Sequence, residues 1–156
     1  MIIKTCLEAV KDHVAEKFPE CVCRRAWAAE SSRQYIGSLE TPLVSVVLAN
    51  RSGTIINRET KEVSLDVFIV IQKKLKSGSA DIDKLTEEID PLVEIMEQLF
   101  DMFLVPVNIE KSELQITCKR PVHDDEAPIY LGGEIFKNLF FGMLQIETTV
   151  QVKRER

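Results

Sequence analysis

No stretch of eighteen apolar residues occurs in this chain, so no membrane-spanning helix is expected. The opening residues, MIIKTCLEAVKDHVAEKF, lack the basic first region of a secretory signal, and charges interrupt them every few positions. The protein is therefore expected to act in the cytoplasm when made. Histidine is scarce, with His13 and His123 as its two copies. Neither is spaced to assist the four cysteines, Cys6, Cys21, Cys23 and Cys118. Cys21-Val22-Cys23 is a C-x-C pair, but no second close pair completes a zinc site. These residues read as reduced structural thiols. Phosphate-binding glycine loops, nucleophile elbows and paired-histidine metal motifs are all absent. Gly132-Gly133 is the one adjacent glycine pair, and it lacks the flanking strand and helix of a phosphate cradle. The net charge of −5 excludes the uniformly basic surface with which nucleic-acid binders neutralise phosphates.

What remains is an ordinary globular composition, 45 % hydrophobic and 29 % charged, over 156 residues. That length suits one domain, residues 1–156, able to bury about 70 % of its unfolded surface without staples.

Helical spacing places Ile3, Cys6, Leu7, Val10, Val14 and Phe18 on one stripe, which predicts a helix from Ile2 to Phe18. Pro19 ends it, because the residue before proline is pushed out of the α region. His13 flanks the stripe as a structural histidine. Strands are predicted at Cys21–Ala28, Pro42–Asn50, Glu62–Lys73, Glu113–Lys119 and Phe140–Arg154. In the first, Arg24 and Arg25 sit side by side, so one is expected to face solvent or a partner subunit. The third has apolar residues on both faces, as a central strand does. In the last, Leu144, Ile146, Val150 and Val152 alternate with Gln145, Glu147, Thr149 and Gln151. The segment from Ala29 to Glu40 reads as a polar loop. Asn50 to Lys61 reads as an extended, mobile hairpin tip, and Pro121 to Asn138 as a long irregular loop.

Between the third and fourth strands lies the clearest helical signal. Asp81 can cap a first segment, and Asp90-Pro91 resembles a second start, so a kinked helix or two helices meeting at Asp90 are expected. Leu92, Val93, Ile95, Met96, Leu99, Phe100 and Phe103 cover a broad half of that helix. Glu94, Glu97, Gln98 and Asp101 form the opposite, solvated stripe. The element order α, β, β, β, α, β, β predicts an α+β fold: a mostly antiparallel five-stranded sheet with two or three helices packed on one face.

Few residues invite chemistry. His123-Asp124-Asp125-Glu126 carries one imidazole and three carboxylates, but consecutive residues converge on one cation only in a tightly curled loop. A solvated acidic loop is its ordinary role. Glu94, Glu97 and Asp101 are paired carboxylates on a face where nothing desolvates them, unlike catalytic acids. Lys73, Lys74 and Lys76 form a short basic run of the kind that guards a strand edge. Trp27, the single tryptophan, suits either a core or an interface anchor. No catalytic, cofactor-binding or metal-binding residue is assigned.

The order of elements, the long polar hairpin, the helix Leu92–Phe103 and the closing F-x-x-x-L-x-I-x-x-x-V pattern (Phe140, Leu144, Ile146, Val150) carry a resemblance. The chain resembles the tail terminator, or tail-completion (minor tail), proteins of long-tailed bacteriophages and prophages. That resemblance implies a non-enzymatic structural subunit with no cofactor. It implies a hexameric ring that caps the tail tube, terminates its polymerisation and provides the head-joining surface. The partners implied are further copies of the chain, the tail tube protein and the head-tail connector proteins. DNA would pass through the acidic ring without specific binding. The location implied is the host bacterial cytoplasm during assembly, then the virion tail. Ring formation needs one patch on each subunit to meet a different patch on the next. Asn50–Lys61 and Pro121–Asn138 are the expected contact regions. Two rival readings are a small-molecule-binding or regulatory α+β module acting as a dimer, and an enzyme built from the 121–138 loop and the acidic ridge. The first rival predicts an apolar pocket with a few convergent polar groups. The second predicts sequestered carboxylates or a metal.

Overall fold

The structure, a computed structural model, describes residues 2–55, 60–76, 81–120, 129–131 and 138–153. Helix α1, Ile2–Lys17, follows from the apolar stripe. Cys6, Leu7, Val10 and Val14 are buried, and Phe18 folds under the helix end, its N–H donating to the Val14 carbonyl at 3.0 Å. His13 lies on the flank of the stripe, its ring centroid 6.2 Å from that of Phe103.

Strand β1, Val22–Ala26, pairs with β2, Leu43–Ile55, in parallel, from Val22↔Leu43 to Ala26↔Val47. Parallel neighbours cannot be joined by a tight turn. The residues between them make the crossover and include a short helix, α2, at Arg33–Gly37. Ser32 caps it by accepting the Tyr35 N–H at 3.2 Å. A five-residue helix with one buried anchor, Ile36, leaves no periodic signal, so this segment reads as loop from the sequence.

Strands β2 and β3, Thr60–Lys74, pair antiparallel out to Ile55↔Lys61. Both exceed their predicted spans, because ladder hydrogen bonds carry the strands through residues whose side chains look polar and turn-like. Most of the expected hairpin tip is therefore strand, and its turn, 56–59, lies outside the described residues. β3 is central, flanked by β2 and by β7, Leu139–Lys153.

Helix α3, Ile82–Met102, is one continuous helix with Pro91 inside it, not two helices. The Asp81 side chain caps it by accepting the Lys84 N–H at 3.2 Å. Proline removes one intrahelical bond. Leu85 and Ile89 before it and Leu92 and Met96 after it dock on the same core, which anchors both halves. Leu92, Met96, Leu99 and Phe103 are buried, while Glu94, Glu97, Gln98 and Asp101 are exposed, in the predicted phase.

Two strands were not legible in the sequence. β4, Val107–Lys111, forms a hairpin with β5, Leu114–Lys119. Its two-residue turn is Ser112-Glu113, with φ of 50° and 66°. Such a turn usually announces itself with Asn or Gly, and here neither residue does. β6, Ile129–Leu131, pairs with Gly142–Leu144 of β7 inside the expected long loop.

The sheet is therefore mixed, not five-stranded and antiparallel. Six strands run in the order β1-β2-β3-β7-β5-β4 and curl, and β6 joins β7 as a short seventh. One face carries the core: Val44, Val46, Leu65, Val67, Ile69, Leu144, Ile146 and Val150 meet α1 and α3. The helices do not all share that face. Ile36 of α2 packs with Leu43 and Leu139 on the other side. Gly142 marks where α3 crosses the sheet most closely, since a Cβ there would stand 2.7 Å from the Met96 sulfur. No described helix is long and apolar enough to cross a membrane.

Candidate interaction surface

The curl brings the two edge strands to the same helix. Glu8 of α1 accepts the Arg25 guanidinium of β1 at 3.4 Å and the Lys111 ammonium of β4 at 3.8 Å. Lys111 also reaches Asp12 at 2.9 Å, and Lys11 meets Asp12 at 3.2 Å. The Lys111 hydrogen bond, with a smaller one from Lys11, holds the Asp12 carboxyl below its ordinary range against a slight cost of burial. Each pair is partly exposed and contributes at most about 1 kcal/mol. Their role is geometric, since they tie both sheet edges to α1.

Arg24 points the other way. Its Nε donates to Ser45 Oγ at 3.1 Å, its Nη1 meets Glu30 at 3.1 Å, and its guanidinium lies 5.7 Å from the Tyr35 ring centroid. The Ser32 backbone N–H, then Arg24, keeps the Glu30 carboxyl below its usual range. The Glu30 main chain is held in turn by buried Gln72, which accepts its N–H at 3.0 Å and donates to its carbonyl at 2.8 Å. Adjacent strand residues face opposite sides of a sheet, and each arginine has found its own acid within the chain. Arg24 is half-buried, while Arg25 stays exposed beside its acid and is the one of the pair that faces solvent.

Beyond β1 the surface changes character. Trp27 stands 81 % exposed and walls a half-open groove of about 580 Å³. Ile2, Ile3 and Leu7 of α1 and Ala26 of β1 supply its apolar lining. Lys4 and Arg25 complete it, and Lys4 is exposed with no acidic partner among the described residues. Such a lining suits apolar side chains accompanied by a negative charge. At the opposite edge of the sheet, the turn from α3 into β4 presents Leu104, 56 % exposed, and Val105, 72 % exposed. The Leu104 N–H donates to the Asp101 carbonyl at 3.2 Å, which sets this apolar shoulder against the acidic ridge.

The other expected sites fare unevenly. Glu94, Glu97 and Asp101 stay in solvent, as anticipated. Lys76 and Lys74 are exposed, and the Lys76 N–H is taken by the Glu88 carboxylate at 3.1 Å. His123–Glu126 and Gly132-Gly133 lie outside the described residues. All four cysteines are free thiols; burial pushes Cys6 and Cys21 up to about 12 and Cys118 to about 11. Among the described residues no three His, Cys, Asp or Glu side chains gather as metal ligands. The groove escaped sequence reasoning because its walls come from α1 and from the end of β1. The one available sign was the lone tryptophan, Trp27, which the sequence places inside the strand Cys21–Ala28 and the structure places just past β1. Comparison with protein-family profiles and with curated proteins found no match.

Proposed function

We propose that this chain is a non-enzymatic structural subunit of a long-tailed phage or prophage. It caps the tail tube, ends the tube's polymerisation and offers the head-joining surface, acting as a hexameric ring. The observation that carries the reading is the pair of unlike patches at the two edges of one sheet. A cation-bearing apolar groove lies beside β1, and an acid-flanked apolar shoulder lies beside β4. Unlike patches on one subunit make heterologous contacts, and heterologous contacts close into rings when the rotation allows. The outer edges of β1 and β4 pair with no other described strand, so both are also free to meet a neighbour. The exposed carboxylates Glu94 and Glu97 fit a passage that repels DNA phosphates.

Electron microscopy of the concentrated protein tests the proposal. Closed sixfold rings that seat on the end of a tail tube are expected. A monomer at the highest soluble concentration, with no affinity for tubes, would overturn it.

The groove itself favours a second reading, a small-molecule-binding module acting as a dimer. Its volume falls within the range of about 300–1,000 Å³ typical of ligand pockets, and its lining is apolar with two cations. Native mass spectrometry separates the two, since a binding module would retain an amphipathic acid.

A further inference from the structure

We infer that the groove beside Trp27 receives the Leu104–Val105 shoulder of a second copy of this chain, with Lys4 facing that copy's Asp101. The inference rests on the self-association in the ring reading, and it names the contact. Three observations point to a second copy. The chemistry matches: the groove is apolar and carries Lys4, which has no acidic partner among the described residues, and the shoulder is apolar with Asp101 one turn behind it. Lone apolar side chains on a surface are ordinary, but Trp27, Leu104 and Val105 are three of the five large apolar residues exposed among those described, and all fall on these two patches. Finally, one subunit cannot satisfy itself. Phe103, next to the shoulder, packs on His13 in the C-terminal half of α1. The groove is formed by residues 2–7 of the same helix, roughly 15 Å away at 1.5 Å per residue from His13 back to Ile3. The contact is therefore head-to-tail along α1. It uses each patch once and leaves the complementary patch free for the next copy, as a ring requires.

Trp27, as the single tryptophan, reports directly on groove occupancy. Its fluorescence is to be followed over a dilution series, with analytical ultracentrifugation of the same samples. The expected result is an exposed, red emission for the monomer that shifts to the blue as association proceeds. Leu104→Asp, a change at the far patch, should abolish the shift and weaken association by about tenfold or more. Lys4→Glu and Asp101→Lys should each weaken it by roughly two- to fivefold at low salt. The double variant carrying both should recover, because every contact then holds the reversed pair. Both residues are exposed, so folding is preserved.

Association with Trp27 still red would overturn this contact while leaving the ring reading intact. So would failure of the double variant to recover. A chain monomeric at every concentration would overturn both. Blue emission at all dilutions, with an organic acid retained in the native mass spectrum, would also overturn the inference, in favour of a small ligand.

Discussion

Leu99→Ala is the sharpest test of how α3 holds the sheet. Leu99 is fully buried and belongs to the central apolar cluster with Met96 and Phe103. Truncation removes three carbon atoms, about 2.4 kcal/mol at roughly 0.8 kcal/mol for each. The helix is pinned on both sides of the site by Met96 and Phe103, so the space cannot fully close, and the cavity adds to the cost. Alanine's better helix propensity returns only a few tenths of a kcal/mol. The expected loss is about 3 kcal/mol. For a domain of this length that lowers the melting temperature by roughly 6–12 °C. Urea unfolding followed by circular dichroism measures it, with Glu97→Ala as the control two positions away on the exposed ridge. The control should stay within about 0.5 kcal/mol of the parent. Equal stabilities for the two variants would refute the phase of the helix, and with it the argument that α3 covers the sheet.

Other consequences can be checked in the same way. Gln72→Leu removes both bonds to the Glu30 main chain and should cost about 1–2 kcal/mol, with faster amide exchange confined to residues 27–42; unchanged exchange there would show that Gln72 does not hold the crossover. Gly142→Val places carbon against the Met96 sulfur and should destabilise by about 1–3 kcal/mol, and Met96→Ala in the same chain should recover part of that loss. The thiols set an alkaline limit. Burial raises Cys6 to about 12, helped by nearby Cys118, and raises Cys118 to about 11. The folded state therefore keeps protons that the unfolded state loses. Stability is fully present below about pH 9 and falls as pH rises from there toward 11–12. The urea midpoint should decline across that window, and Cys6→Ala should flatten the decline.

How much of this was legible without tertiary structure depends on how local each signal is. The apolar stripes of α1 and α3 have a helical period, so their buried faces and the exposed Glu94–Asp101 ridge could be read directly. The central strand β3 announced itself through apolar residues on both faces, and β7 through strict alternation. Asp81 marked where α3 begins. These assignments rest on neighbours within a turn or two, which sequence order preserves. By contrast, nothing in Val22–Ala26 says that it will lie parallel to Leu43–Val47, because strand direction is decided by a partner far along the chain. β4 and its Ser112-Glu113 turn exist because β5 and β7 provide a ladder, not because their residues demand it. The pairing of Arg24 with Glu30 and of Arg25 with Glu8 follows from the pleat, which sends adjacent side chains to opposite faces. The groove is the extreme case. Ile3 and Trp27 are 24 positions apart, and only the packing of α1 against β1 makes them two walls of one surface. Periodicity determines which faces are apolar; tertiary structure alone decides which of those faces find a partner within the chain and which are left for another molecule.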